Sequence, residues 1–494
     1  MNRLANRNIL FDGGILIIAG MLGFAGVGLG WFFYEAAPIG NGFVAKYLCS
    51  STFISNRNPE TVFTEDIAPV NPLSKIVEYK IDSENKSVTS DSFGLLKMKA
   101  IYREGCGCSL VIGTTEEQMR AQKLVEPGFE KTRLKHRDDL PWPMGSGGPV
   151  DGQRMGIDMA ALEKAIDEAF SEPGPDNPKK TRVVVIVHNG KLIAERYAPG
   201  FNKEMPLLGW SMSKSITNSL VGILVKEGKL DVMQPAPVKE WQRDDDPRRR
   251  ITLDQLLRMS SGLKFEEVYA PLFDATYMLY GSYDFAAYAA GKPLETEPDE
   301  KWYYSSGTAN IIARIVRQTV ETEYEYYYRF LYEKLFNKIG MYSAVMEPDS
   351  SGTFVGSSYT FATARDWARF GLLFLQDGAW QGERILPEGW VTYTTTPTPK
   401  AAKGEYGAHF WLNDGNTEDP EDRKWPRSPR DAYAAMGFQE QKVIVIPSRK
   451  LVLVRFGATS DRDAWDTDEF IKNVLEAFPI IVSYSPTVLS RPLF

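Results

Sequence analysis

Histidine and cysteine are both scarce in this sequence. Its 494 residues include only three histidines and three cysteines. The histidines, His136, His188 and His409, are scattered along the chain, and no spacing typical of a metal site links them to the cysteines. None of them lies in a recognisable serine–histidine–aspartate context either. We therefore expect neither a bound metal nor a histidine-based nucleophile.

The chain also lacks a basic stripe, an internal repeat and a long low-complexity tract. Its net charge of −7 is mild for this length, and its basic run, Arg248–Arg250, follows the acidic run Asp244–Asp246. This pattern is typical of a solvated loop, so we do not expect a nucleic-acid partner. Because 43% of the residues are hydrophobic, we expect one large domain with an accessory region.

A long uncharged stretch occurs near the N-terminus. Gly13–Phe33 contains 21 residues without a charge, enough at about 1.5 Å per residue to span a hydrocarbon core of about 30 Å. Arg3 and Arg7 precede it, which favours a cytoplasmic N-terminus. We predict that residues 1–36 form an uncleaved, single-pass membrane anchor, with the rest of the chain on the extracytoplasmic (periplasmic) side.

Two other interpretations of this stretch remain. A cleaved signal peptide usually has a shorter apolar region followed by small residues at a cleavage site, and no clear site of that kind follows here. A helix buried in a soluble domain would not explain why the flanking charge is asymmetric. The three cysteines fit the extracytoplasmic placement. Cys49 could pair with Cys106 or Cys108 in an oxidising compartment, or all three could be separate thiols.

Residues 37–150 are predicted to form a small β-rich accessory region that ends in a linker. The segment 139–152 is rich in proline and glycine, which is typical of a linker, and we assign no task to the region before it. The main domain is expected over residues 151–494. The strands expected in the accessory region are Val77–Asp82, Ser87–Ser90, Lys97–Tyr102 and Ser109–Ile112.

The main domain has strand signals at both ends and helix signals between them. An amphipathic helix is predicted over Met159–Phe170, and a hairpin with an Asn-Gly turn over Thr181–Tyr197. Near the C-terminus a second hairpin, Gln441–Phe456, precedes a helix over Thr467–Phe478. This order predicts an α+β fold, in which an antiparallel sheet is flanked by helices and carries an inserted helical lobe of about residues 235–430.

The stretch Gly209–Ser215, GWSMSKS, has the form Ser-x-x-Lys. It is followed by apolar residues at helical spacing up to Gly228, a position typical of a helix C-terminus. Three residues apart, Ser211 and Lys214 would lie on the same side of the first helical turn. A buried lysine loses its proton more easily and can then accept the proton of a serine hydroxyl. The motif alone is common by chance, so its value depends on the rest of the chain.

Three further motifs follow in order. They are Leu256–Leu263 (LLRMSSGL), Tyr304–Gly307 (YSSG) and Met436–Phe438 (MGF). Together with the Ser-x-x-Lys stretch they resemble the serine hydrolases of the class C β-lactamase and penicillin-binding-protein family. Within that family the resemblance is strongest to the carboxylesterases and the 6-aminohexanoate-dimer (nylon oligomer) hydrolases. It covers about residues 155–480 and implies a β-lactamase/transpeptidase-like fold.

The resemblance implies a role for each motif residue. Ser211 would be the nucleophile that forms an acyl-enzyme, and Lys214 its proton partner. Tyr304 would share the general-base role and pass the proton to the leaving group. The backbone N–H groups of Ser211 and of Phe438, next to Gly437, would form the oxyanion hole. We expect the lysine cation to lower the pKa of the phenol, and desolvation to lower the pKa of the lysine.

The sequence departs from the family pattern at two positions. Ser306 stands where relatives have an asparagine, and we expect it to keep one hydrogen bond to substrate or oxyanion. Ala435 stands where relatives have a lysine or histidine that meets a substrate carboxylate, which favours esters or other amides over β-lactams and D-Ala-D-Ala peptides. Tyr269 is expected to line the pocket, as tyrosines do in nylon-oligomer hydrolases.

The sequence therefore predicts a membrane-anchored serine hydrolase that cleaves a small carboxylic ester or amide without metal or organic cofactor. One alternative within the same fold is a D,D-peptidase or β-lactamase that acts on cell-wall-like substrates. Another is a catalytically silent member that binds a ligand at the membrane.

Overall fold

A computed structural model describes residues 30, 33–174, 176–416, 419 and 421–479. The predicted anchor lies almost entirely outside these residues. Within the described part, no helix combines the length and the apolar character needed to cross a membrane. The first helix, α1, runs through residues 33–53 and is largely buried from Ala36 onward.

Fifteen strands occur in the described residues. In chain order they are β1 Val77–Asp82, β2 Ser87–Ser92, β3 Leu95–Arg103, β4 Gly107–Leu110, β5 Thr181–His188, β6 Lys191–Tyr197, β7 Leu207–Leu208, β8 Val345–Met346, β9 Thr360–Ala362, β10 Ala379–Trp380, β11 Glu383–Arg384, β12 Trp411–Leu412, β13 Tyr433–Gly437, β14 Gln441–Ile446 and β15 Leu451–Gly457.

The α-helices that follow α1 are mostly short in the middle of the chain. They are α2 Pro59–Val62, α3 Glu116–Arg120, α4 Phe129–Thr132, α5 Met159–Phe170, α6 Ser213–Lys226, α7 Leu253–Leu257, α8 Asp274–Gly281, α9 Phe285–Ala290, α10 Ser306–Val320, α11 Tyr328–Leu331, α12 Ala364–Leu375, α13 Trp390–Thr395 and α14 Thr467–Glu476.

A six-stranded antiparallel sheet in the order β12-β13-β14-β15-β5-β6 forms the centre of the main domain. Strand β15 pairs with β5, so the two ends of the domain meet in one sheet. The turn between β5 and β6 has positive φ at both Asn189 (49°) and Gly190 (74°), as a type I′ hairpin turn requires. The predicted α+β, β-lactamase-like architecture is confirmed.

Both faces of the central sheet are covered, which explains the unbroken apolar run in β5. Val183 and Val185 belong to the core shared with α6 and α12, whereas Val184 and Ile186 belong to the core shared with α5 and α14. Each successive side chain of a strand points to the opposite face. Because neither face of the sheet meets water, β5 does not need to alternate apolar with polar residues.

Helix boundaries agree with prediction where a capping side chain was recognisable. Helix α5 spans the predicted residues, and the Asp158 carboxylate accepts hydrogen bonds from the first turn. Helix α10 begins at Ser306, five residues before the predicted start at Ile311. The Ser305 hydroxyl accepts the Thr308 N–H and so starts the helix inside the aromatic, serine-rich segment that we predicted to precede it.

The accessory region contains a separate four-stranded antiparallel sheet in the order β1-β2-β3-β4, close to the predicted strands. A disulfide joins Cys49 of α1 to Cys108 of β4, and Cys106 is a buried free thiol. Lys46 of α1 forms a buried ion pair with Glu347, which also accepts the Cys108 N–H at 2.6 Å. These contacts fix α1 against the main domain. The domain boundaries themselves stay predictions.

Candidate active site

The backbone before Ser211 follows a tightly constrained path. Strand β7 leads into Gly209, where a Cβ would lie 2.5 Å from the Trp367 ring, so only glycine fits. Trp210 has a φ of +49°, a conformation that non-glycine residues seldom adopt and that is often retained at functional sites. Ser211 follows in a 3₁₀ turn, Trp210–Met212, and α6 begins only at Ser213. Ser211 therefore lies in a short 3₁₀ turn just before α6, and not in the α-helix itself.

Lys214 lies in the first turn of α6 and is 1% exposed. Its Nζ donates hydrogen bonds of 3.1 Å to the hydroxyls of Ser211 and Ser306 and to the Ser357 carbonyl. Burial lowers the Lys214 pKa to about 8, although the nearby Glu267 carboxylate acts in the opposite direction. The structure thus places beside the serine an amine that is partly unprotonated at neutral pH.

Glu267 is a member of this site that the sequence did not reveal. Its Oε1 accepts hydrogen bonds from the Ser306 hydroxyl at 2.6 Å and from the Tyr269 hydroxyl at 2.8 Å. Its Oε2 accepts the Ser306 N–H at 2.7 Å. Since the neighbouring Glu266 is exposed, the sequence alone could not separate the two glutamates. A chain of hydrogen bonds therefore runs from Lys214 through Ser306 to a carboxylate.

Ser306 lies beneath the cleft rather than on its wall. It is fully buried, and its hydroxyl is already engaged by Lys214 and Glu267. A hydroxyl used in this way is poorly placed to meet the substrate, so the expectation of a substrate contact at Ser306 is corrected to a positioning role. Tyr269, by contrast, is 56% exposed and lies in the wall of the cleft.

The Tyr304 side chain packs in an aromatic group beside Lys214. Its ring stacks on Trp411 at 5.5 Å between centroids and meets Tyr406 edge-on, and Lys214 Nζ lies 4.6 Å from its centroid. Desolvation and the Glu267 carboxylate raise the Tyr304 pKa. This differs from the expected lowering, because burial disfavours both the phenolate and the ammonium that would stabilise it. The phenol is therefore protonated at neutral pH.

Phe438 is brought to Ser211 by a close approach of two backbones. A Cβ at Gly437 would lie 2.1 Å from the Gly209 carbonyl oxygen, so the end of β13 rests against the segment that carries the serine. Phe438 follows the last paired residue of β13, and its ring meets Trp210 edge-on at 5.6 Å. The Ser211 N–H belongs to the first turn of a helical segment, where such groups have no partner within the helix.

Two cavities meet at Ser211, and both include Tyr269, Phe438 and Ser460 in their walls. The first, which we name the polar cleft, has a volume of about 750 Å³. The second, the apolar pocket, has a volume of about 540 Å³. Further residues of the polar cleft include Glu267, Tyr304, Trp411, Lys424, Lys442 and Arg462. Further residues of the apolar pocket include Ile39, Phe43, Val70, Leu73, Pro271 and Tyr280.

Cations reach the polar cleft from positions that the family motif does not specify. Ala435 is buried in the core, as a side chain of that size allows. Lys424 Nζ lies 4.4 Å from the Trp411 ring centroid, and burial lowers the Lys424 pKa to about 8. Lys442 pairs with Glu440 at 2.6 Å. The polar cleft therefore contains positive charge, although alanine replaces the cationic residue of the family motif at position 435.

His409 is the histidine nearest to these motifs, and it is buried. Its Nδ1 lies 2.9 Å from the Lys214 carbonyl oxygen, which the neutral ring can satisfy as a donor. Burial lowers the His409 pKa to about 3, so the ring carries no charge. Among the described residues, no group of histidine, cysteine and carboxylate side chains could hold a metal ion.

The fold and this cluster define a serine hydrolase. The sequence matches the protein family described as Beta-lactamase over residues 179–475, more than half of its length, and the chain belongs to that family. The family recognised from the sequence motifs is thereby confirmed. Helix α1 and strands β1–β4 precede the matched residues.

Individual relatives are distant. A 6-aminohexanoate-dimer hydrolase from Paenarthrobacter ureafaciens is 24% identical over 300 residues, which cover 57% of this chain and 74% of the relative. A solved penicillin-binding-protein homologue from Caulobacter crescentus superposes with a TM-score of 0.50 at 15% identity, covering 67% of this chain and 99% of that one. A family VIII carboxylesterase gives a TM-score of 0.50 at 14% identity, covering 67% and 98%. At these identities the structural likeness shows the fold.

Proposed function

We propose that this protein hydrolyses a small carboxylic ester or amide through an acyl-enzyme on Ser211. The observation that carries the proposal is the buried Lys214 amine, 3.1 Å from the Ser211 hydroxyl, with a pKa of about 8. A serine hydroxyl needs such a base to react at neutral pH. The names of a 6-aminohexanoate-dimer hydrolase and a carboxylesterase among the related proteins support an amide or ester as substrate.

The proposed reaction begins when neutral Lys214 takes the Ser211 proton and the serine oxygen attacks the substrate carbonyl carbon. The N–H groups of Ser211 and Phe438 stabilise the oxyanion. The protonated phenol of Tyr304 gives its proton to the leaving oxygen or nitrogen and is reprotonated from Lys214. Water then attacks the acyl-enzyme with the same groups in reverse, which releases the acid and restores the Ser211 hydroxyl.

Labelling with a fluorophosphonate probe tests the nucleophile. We expect one adduct by intact mass on the wild type and none on Ser211→Ala. Equal labelling of both proteins would mean that another serine is the nucleophile. A folded wild type that takes no label would contradict an activated serine and favour the ligand-binding alternative.

A second candidate activity is acylation by penicillin-like or D,D-peptide substrates. The cations Lys424 and Lys442 in the polar cleft favour it, because a substrate carboxylate could meet them there. We propose that esters and other amides are preferred, so incubation with benzylpenicillin should leave no stable adduct on Ser211. A penicilloyl adduct that is absent in Ser211→Ala would move the assignment to cell-wall-like substrates.

We further propose that residues 1–36 anchor the protein in a membrane, with the hydrolase domain on the extracytoplasmic side. The basic residues before the apolar stretch support this orientation, and the Cys49–Cys108 disulfide fits an oxidising compartment. We expect the full chain to stay in the membrane fraction after carbonate extraction and a variant without residues 1–32 to be released. That variant keeps α1, which is largely buried from Ala36 onward. Release of the full chain would contradict the anchor.

A further inference from the structure

The walls of the apolar pocket come from two parts of the chain. Trp210, Tyr269–Pro271 and Tyr280 belong to the part that matches the family. A second part of the wall is made by Ile39, Gly40 and Phe43 of α1 and by residues 69–73, all of which precede the match. The accessory region therefore contributes directly to a cavity that opens onto the proposed nucleophile.

This wall is rigidly packed. A Cβ at Gly40 would lie 3.0 Å from Leu73 Cδ1, and a Cβ at Gly42 would lie 3.0 Å from the Tyr280 carbonyl oxygen. The Phe43 ring meets the Tyr280 ring edge-on at 5.4 Å. Together with the disulfide and the buried ion pair of α1, these contacts fix this part of the wall against the main domain.

The position of Tyr304 indicates which half of the substrate enters the pocket. Tyr304 lines the polar cleft and is absent from the walls of the apolar pocket. In the mechanism proposed above, this phenol protonates the leaving group, so the leaving group must lie on the side of the polar cleft. The acyl chain, which extends from the carbonyl carbon away from the leaving group, then points into the apolar pocket.

We propose, building on the function proposed above, that the apolar pocket binds the aliphatic acyl chain of the substrate and that α1 and residues 69–73 set its length. The substrate class is an ester or amide of a chain-bearing carboxylic acid with a polar leaving group. Each methylene that leaves water contributes enough free energy to raise kcat/KM about fourfold until the pocket is full.

A series of p-nitrophenyl esters from acetyl to dodecanoyl tests this assignment on the full chain. We expect kcat/KM to rise with acyl length and then level off. Val70→Trp should fill the pocket and lower the octanoyl-to-acetyl ratio of kcat/KM at least tenfold. Leu95→Trp, on an exposed position of the same accessory region, is the matched control and should keep the wild-type ratio.

The outcomes separate this proposal from the function on which it rests. If the wild type labels at Ser211 and hydrolyses the acetyl ester but shows no rise with acyl length, the acyl-chain pocket is wrong and the hydrolase stands. A ratio unchanged by Val70→Trp overturns it in the same way. A rise along a series of alkyl acetates, but not along the acyl series, would place the leaving group in the pocket. Absence of both labelling and turnover would contradict the hydrolase itself.

Discussion

The dependence of kcat/KM on pH should show an acid limb, a rise with pH on the acidic side, that follows the deprotonation of Lys214. At pH 7 a lysine with a pKa of about 8 is about one-tenth free base, whereas at the ordinary 10.5 it would be about 0.03% free base. Burial therefore increases the reactive form roughly 300-fold. We expect kcat/KM for an ester to rise about tenfold per pH unit up to an apparent pKa near 8 and then to level off.

Glu267→Gln should move this limb in a defined direction. The carboxylate raises the Lys214 pKa by stabilising the ammonium, so its removal should lower that pKa and shift the limb to lower pH. Glutamine can still accept the hydrogen bonds of Ser306 and Tyr269 through its amide oxygen. A role in holding Ser306 alone would change the rate without moving the limb, so the pH profile distinguishes the two roles.

Initial rates from pH 5 to 10, with the rate of Ser211→Ala subtracted at each pH, would measure the profile. Lys214→Arg keeps a cation but cannot supply a neutral base, so we expect its activity to be lost across this range. The reasoning would be refuted by a limb with an apparent pKa of 6 or below, or by a limb that Glu267→Gln leaves in place or moves to higher pH.

Three further predictions concern proton delivery and the attachment of α1. Tyr304→Phe should slow amide hydrolysis about 10²–10⁴-fold but p-nitrophenyl ester hydrolysis much less, because p-nitrophenolate leaves without a proton; equal losses would contradict leaving-group protonation. Lys46→Met should destabilise the fold by about 3–5 kcal/mol in urea unfolding by leaving Glu347 unpaired, and adding Glu347→Gln should restore part of this. Cys108→Ala removes a cross-link between residues 59 apart and should cost about 4 kcal/mol; a similar loss in Cys106→Ala would argue against a cross-link effect.

Much of the fold was predictable because its signals are local. The Asp158 cap, the Asn-Gly turn of β5–β6 and the apolar strands near both ends each depend on residues close together in sequence. The start of α10 was placed too late because Tyr304–Gly307 has no apolar period, and only the Ser305 hydroxyl marks the first turn. The burial of α1 was not predictable, since its partners lie far away in sequence, as Glu347 does.

The site residues that belong to the motifs were predictable from the sequence, and those outside the motifs were not. The spacing of the motif placed Ser211 beside Lys214, and the resemblance to the family added Tyr304 to them. The pKa of the phenol was predicted in the wrong direction, because pairwise charge reasoning left out desolvation, the largest influence on it. Glu267 and Lys424 were missed because a single charged residue in a loop has no pattern, and its position depends on the path of the backbone.

The surroundings of Lys214 act on its pKa in two opposite directions. Burial alone would favour a neutral amine of low basicity, which would accept the serine proton poorly. Glu267 is connected to Lys214 through Ser306. Its carboxylate stabilises the ammonium and so opposes the effect of burial on the Lys214 pKa. A pKa of about 8 is close enough to neutral pH for one group to take a proton and then give it up within a catalytic cycle. Serine suits position 306 because its short hydroxyl can donate to the carboxylate while it accepts from the lysine.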